Sequence, residues 1–454
     1  MPIPDGPKIP LWLQKTRMIF RPTEFLDDCA RHYGGIFTLG CDDAGMCAIP
    51  DAPVVFVSDP QALKEIFSAD PNVFDFGQTG EALGPFFGEK SLFSLDGASH
   101  KRMRNLLMPP LHGQPLQKHG QSICEITEFV SSQWKVGKPF QVCPAMLEIS
   151  LRIMLKVTLG LDEGERLEQF MQVFYAWLTS IFSPLKATLL SFLSLQADLG
   201  PWSPWGRFVR LREQMVHMFY EEIEQRRQNP DTSRTDILTL LMMARNQEGE
   251  PMTDDELQDQ LLAMLSAGVE NTSIALAWAM YWIHYLPDVR SKLLYEIDNL
   301  GVDAQPTAVA RLPYLGAVCQ EAMRIYPPIM VTELRFLKAP LTLMGNQLEP
   351  GTVLIPCSYL THNREDLYPE PKNFKPERFL ARQYASHEYF PFGGSNRICI
   401  GAALATFIMK LVLATIVSRR ELALTNMSSV KPVRSRFAIS PPLKFRMVVT
   451  GERG

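Results

Sequence analysis

The chain has 454 residues, 46% apolar and 21% charged, which is ordinary globular composition with ample material for a large core. Lys and Arg number 45 against 49 Asp and Glu, a net charge of -4 with no basic cluster, so the balance gives no nucleic-acid footprint. No uninterrupted apolar run reaches the roughly 18 residues of a membrane span, and the N-terminal MPIPDGPKIPLWLQ lacks the charged-then-apolar order of a signal peptide.

Proline and glycine punctuate extended segments near residues 36–57, 334–357 and 430–450; within them 52–57 (APVVFV) and 352–356 (TVLIP) read as strands. Between them the apolar spacing is helical. Asp59 is placed to cap a helix with Pro60 at its first position. Helical spacing recurs at about 114–134, 144–161, 165–182 and 206–226. Thr253-Asp254-Asp255-Glu256 is a strong helix start, and the pattern runs on to about Tyr285. That helix, roughly 50 Å long at 1.5 Å per residue, is apolar on most faces and so belongs in the interior. The expected fold is mainly α with a minor β part, in one domain spanning 1–454. The cysteines, Cys29, Cys41, Cys47, Cys124, Cys143, Cys319, Cys357 and Cys399, are scattered, which fits a reducing compartment better than a disulfide framework. Cys41 and Cys47 have no second ligand pair at zinc-like spacing. A soluble, cytoplasmic protein with no membrane span is expected.

The informative segment is Phe392-Gly393-Gly394-Ser395-Asn396-Arg397-Ile398-Cys399-Ile400-Gly401, which leads into the apolar run AALATFIMKLVLATIV. Cys399 lies just before that helix, where backbone N–H groups favour an anionic sulfur. The small residues allow a flat ligand to approach closely, and Arg397 can turn toward an acidic group on it. The segment resembles the haem-binding loop of cytochromes P450, F-x-x-G-x-R-x-C-x-G. Phe392, Arg397, Cys399 and Gly401 match; Ser395 stands where the family usually has glycine. The other reading is a buried structural cysteine beside a helix start.

Three further constellations extend the resemblance. Glu321-Ala322-Met323-Arg324 places a carboxylate and a guanidinium on one helix face, which alone is most often a solvated surface pair. Here it runs into Tyr326-Pro327-Pro328, and Phe374-Lys375-Pro376-Glu377-Arg378-Phe379 follows some fifty residues later. The resemblance implies a buried structural network of Glu321, Arg324 and Arg378 bracing the cysteine loop. His100 and Arg104, four apart on a helix, are similar to the family pair that holds haem propionates, with Arg335 and Arg397 completing the set. Ala267-Gly268-Val269-Glu270-Asn271-Thr272 resembles the stretch beside the oxygen site. Gly268 costs about 1 kcal/mol of helix stability, a cost explained if the helix opens over the haem.

That last match departs from the family, because Asn271 stands where threonine is usual. Asparagine can position water but cannot relay a proton as a hydroxyl does. The expectation is that Asn271 positions water while Glu270 feeds protons, with Thr272 about 100° further round the helix.

The resemblance implies a haem-thiolate monooxygenase: haem b held by Cys399, one atom of O2 inserted into a substrate, and electrons from a separate ferredoxin or flavodoxin with its reductase. Docking of that partner is expected on the face around the Cys399 loop, near Lys410. Expected pocket segments are Phe76 to Phe87, Phe174 to Phe182, Ala263 to Ala267, Met330 to Thr332 and Phe437 to Ile439, with Phe86, Phe87, Phe182, Ala263, Ala267, Val331 and Phe437 singled out. Their apolar character suits a fatty acid, alkane, terpenoid or steroid-like substrate. The alternatives are a peroxygenase or isomerase on the same fold needing no electron donor, and a non-enzymatic haem protein that binds a small ligand.

Overall fold

The computed structural model describes residues 3–40, 52–180, 198–301, 304–435 and 438–453. A large helical body carries a smaller β region at one side, as the patterning implied. Asp59 caps the helix Pro60–Ser68 by accepting from the N–H groups of Gln61 and Ala62. The expected single helix over 114–134 is two, Gly113–Gln117 and Gly120–Ser132.

The organising element is the helix Asp254–Tyr285. Its start is a capping box: Thr253 Oγ1 accepts from Glu256 N at 3.2 Å, and Glu256 returns a carboxylate to Thr253 N at 2.9 Å. It packs along Val142–Leu159 and also touches Ala402–Arg419 and Pro313–Ile325. Gly268 sits at the closest approach to Val142–Leu159, where a Cβ would come within 2.8 Å of Met154 Cε. What stands against this glycine is the flexible end of the Met154 side chain. Among the described residues two helices, Asp254–Tyr285 and Ala402–Arg419, are long and apolar enough by composition to cross a membrane, although neither is an uninterrupted apolar run. Their most apolar windows are 72% and 56% buried inside the molecule, so core packing accounts for the composition.

The largest sheet orders its strands Ile36–Leu39, Val54–Val57, Val353–Pro356, Arg335–Leu337 and Phe74–Asp75. Val54–Val57 runs parallel to Val353–Pro356, and the other pairs are antiparallel. Both central strands are buried throughout, which is why they read as unbroken apolar runs. The sheet fixes Arg335 at the start of a buried strand.

One buried histidine in the central helix makes the fold acid-sensitive. His284 donates from Nδ1 to the Met280 carbonyl at 2.8 Å, while Nε2 is buried without a partner. Burial, aided by Arg290, pushes it down to about 4. The neutral form is therefore native, and the unfolded chain takes up the proton first. Stability is fully present above the unfolded value near 6.5 and falls as pH drops toward 4, by about 1.4 kcal/mol per pH unit for this group. Urea denaturation across that range should show an acid slope shallower by about this amount in His284→Leu.

Candidate active site

Cys399 lies in the loop between Phe392 and Gly401, just before the helix Ala402–Arg419. Its N–H donates to the Phe392 carbonyl at 2.9 Å, which closes the loop on itself. The side chain is exposed by surface area yet surrounded by protein, so the thiol faces open space within the molecule. Burial pushes the thiol up, against the Gly401 N–H and Arg104, which pull it down. The helix start alone does not make this sulfur a thiolate; a cationic partner such as a metal would.

The loop's small residues have mixed reasons. A Cβ at Gly394 would fall 2.7 Å from the Phe67 ring, so this glycine admits an aromatic side chain rather than a ligand. Ser395 holds φ +64, the left-handed conformation that costs a residue with a side chain about 1–2 kcal/mol.

Around the cysteine loop the expected histidine and arginines gather. His100 is buried on the helix Gly97–Leu107, pushed down to about 4 by burial and then by Arg397 and Arg104. Arg104 donates to the Ile398 carbonyl at 2.7 Å, beside Cys399. Arg335 donates to the Gly394 carbonyl at 3.2 Å, and burial pushes it down to about 10. Arg397 donates to the Leu95 carbonyl at 3.0 Å and to Asp96 at 2.7 Å. The Nε atoms of both Arg335 and Arg397 are buried without partners.

Sequence reasoning missed the residues that make this cluster tolerable. Phe76, expected in the pocket, is instead a platform beneath Arg397 at 4.4 Å and Arg335 at 5.6 Å. Phe67 and Phe74 also flank Arg335, each at 5.3 Å. Asp96 and Glu333 are the counter-ions, with Glu333 3.8 Å from Arg397. Burial pushes the Asp96 carboxyl up, but the Gly97 and Phe76 N–H groups and Arg397 outweigh it and hold the group below its ordinary value. Burial raises Glu333 against Arg397 and Arg335. The signal for Glu333 was present, since residues two apart in extended chain share a face, and 333 is two before Arg335.

Glu321, Arg324 and Arg378 meet as expected. Arg324 grips Glu321 through Nε and Nη2 at 2.7 and 2.9 Å, and Arg378 Nε reaches the same carboxylate at 3.1 Å. Both members of the first pair are 0% exposed.

On the central helix, Asn271 Nδ2 donates to the Ala267 carbonyl at 3.1 Å, leaving Oδ1 buried with no partner. Glu270 is half-buried next to it and Thr272 is buried. Ala263 is buried and Ala267 half-buried on the same helix. Phe86 is packed against Trp205 and Phe208 at 6.1 and 5.3 Å, a core position, whereas Phe87 is half-buried beside Phe93. Phe174 is likewise core, against Trp177. Val331 is half-buried against the sheet-side core. Phe182 and Phe437 lie outside the described residues, as do Cys41 and Cys47.

These residues fit a haem. An open-facing thiol, three arginines, a histidine and two orphaned guanidinium nitrogens suit a flat iron-bearing ligand with acidic groups. The comparisons agree. The family model described as Cytochrome P450 matches residues 4–448. A Mycobacterium tuberculosis relative provisionally named cytochrome P450 135B1 is 31% identical over 467 residues, covering 100% of this chain and 92% of that protein. Among solved structures, retinoic acid-bound cyanobacterial CYP120A1 superposes with TM-score 0.85 at 23% identity, covering 100% of this chain and 99% of that one. The haem domain of cytochrome P450DA gives 0.82 at 21%, covering 100% and 98%. The chain belongs to the cytochrome P450 family: it is a haem monooxygenase, an oxidoreductase whose cofactor is haem b with a cysteine thiolate ligand.

Two stability predictions follow from the loop and its brace. Glu321→Ala leaves Arg324 buried and unpaired, and denaturant titration should show a loss of about 3–5 kcal/mol. Ser395→Val should cost about 1–2 kcal/mol, while Ser395→Gly should gain up to about 1 kcal/mol.

Proposed function

We propose that Cys399 is the haem-iron ligand, that His100, Arg104, Arg335 and Arg397 hold the propionates, and that the protein hydroxylates a hydrophobic substrate. The observation that carries this reading is the gathering of these four side chains around the loop that holds the Cys399 thiol. Haem bound there supplies the oxygen-activating redox chemistry, which a thiolate ligand favours. Ligation holds the sulfur deprotonated against the burial that raises it. Phe392 and Gly401 flank the ligand loop. The brace of Glu321, Arg324 and Arg378 keeps that loop in place.

On the central helix, Asn271 commits one of its two amide N–H groups to the Ala267 carbonyl and keeps Oδ1 for a water or O–H donor. Glu270 supplies protons through that water, and Thr272 lines the same turn. The apolar character of Phe87, Ala263, Ala267 and Val331 supports a fatty acid, alkane, terpenoid or steroid-like substrate. The neighbour solved with retinoic acid supports a hydrophobic ligand as well. Electrons come from a ferredoxin or flavodoxin with its reductase. Its docking face is the cavity of about 480 Å³ lined by Phe392, Ala403, Phe407, Arg311 and Lys410. The free state of the six described cysteines supports work in the cytoplasm.

The unusual Asn271 favours one second reading, a peroxide-driven oxygenase. Product formed with peroxide alone, and not with NAD(P)H and generic redox partners, would select it. For the monooxygenase, Asn271→Ala should lower product per electron consumed by about five-fold, since one hydrogen bond is worth about 1 kcal/mol. Unchanged coupling removes Asn271 from the oxygen site.

The test of the whole reading is a Soret titration of the ferric protein with a long-chain fatty acid. A saturable high-spin shift is expected. No shift, in protein whose reduced CO spectrum has the thiolate form, moves the substrate to terpenoids or steroids. Loss of that thiolate spectrum in Cys399→Ser completes the assignment of the ligand.

A further inference from the structure

His362 is the one fully buried histidine with hydrogen bonds to both halves of the proposed haem support, and neither the expected site nor the family loop includes it. It ends the short helix Ser358–His362. Its carbonyl accepts from Arg324 Nη1 at 2.6 Å, so its backbone is pinned by the buried ion pair. Its ring Nε2 accepts from the Phe390 N–H at 2.9 Å. Phe390 is two residues before Phe392, whose carbonyl takes the Cys399 N–H at 2.9 Å. The Phe390 carbonyl in turn takes the Gly393 N–H at 3.0 Å. One residue thus joins the Glu321–Arg324 pair, through its backbone carbonyl, to the entry of the cysteine loop, through its ring.

The bond defines the protonation state. To accept at Nε2 the ring must be neutral, with its proton on Nδ1. Burial and the neighbouring Arg324 charge both enforce that form. Orientation is held by Tyr389 stacked at 5.2 Å and Phe390 edge-on at 5.2 Å. Tyr389 adds a second tie, donating from its hydroxyl to the Gln320 carbonyl at 3.0 Å.

We propose that His362 is a positioning residue: through its neutral ring the buried ion pair sets the path of the Cys399 loop, and hence the direction in which the sulfur meets iron. The proposal rests on the haem-thiolate reading for its last step only. Its first step, protection of the Phe390 amide, is independent of haem.

The experiment compares His362→Leu, which fills the volume with no acceptor, with His362→Gln, whose Oε1 can accept the Phe390 N–H. Two readouts are taken on the purified holoenzyme: hydrogen exchange at the Phe390 amide and the reduced CO spectrum. His362→Leu should speed Phe390 exchange roughly ten-fold, the equivalent of about 1.4 kcal/mol for a buried N–H left unpaired. It should also shift a large part of the CO complex out of the thiolate form. His362→Gln should restore most of both. Wild-type exchange and spectrum in His362→Leu overturn the proposal. So do equal losses in both variants, because then only ring packing matters. If His362→Leu does not accumulate folded, His362→Asn takes its place, with an acceptor one methylene short; retention in Gln and loss in Asn support the proposal, and equal behaviour overturns it. A wild-type protein without the thiolate spectrum would instead unseat the haem-thiolate reading, leaving the exchange result to decide the link from His362 to Phe390.

Discussion

The structure turns on an ion pair buried to 0% exposure, Glu321 with Arg324. Such a pair repays its desolvation only when every remaining valence is satisfied. Here it is. Glu321 takes bonds from Arg324 twice, from Arg378 and from the Lys375 N–H. Arg324 also donates to the carbonyls of His362 and Pro371 at 2.6 and 2.8 Å. Those partners lie 38 to 57 residues away along the chain. The pair therefore acts as a fastener for a stretch that has little regular structure of its own. That stretch leads directly into the Cys399 loop.

A second electrostatic problem sits on the other side of the thiol. Arg104, Arg335 and Arg397 repel one another, and burial raises the cost. The molecule manages this with two carboxylates, Asp96 and Glu333, and with aromatic faces from Phe67, Phe74 and Phe76. Two guanidinium nitrogens still lack partners. A ligand carrying acidic groups would complete the set, so the same charges that strain the protein alone favour binding.

The central helix carries the remaining candidate residues. Its glycine lies against the end of the Met154 side chain on the neighbouring helix. Its asparagine uses a backbone carbonyl to fix its own amide and turns an unpaired oxygen inward. A threonine in that place would offer a hydroxyl able to relay a proton; the asparagine offers an acceptor and one remaining amide N–H, neither of which relays one.

Much of this was legible in residues that are near neighbours in sequence. The capping box at Thr253, the buried central helix, the strands at 54–57 and 353–356, and the cysteine loop all follow from local periodicity, capping and motif. So do Glu321 with Arg324 and His100 with Arg104, because a helix brings residues three or four apart onto one face. What only the tertiary structure decided are the long-range meetings: Phe76 under two arginines, Phe67 against Gly394, Asp96 on Arg397, and His362 between Arg324 and Phe390. These pair residues tens to hundreds of positions apart, and no periodicity encodes which aromatic face or ring nitrogen ends beside which charge. The roles of Gly268, Gly394 and Phe86 changed for the same reason: sequence records that a residue is small or apolar, while packing determines what stands against it.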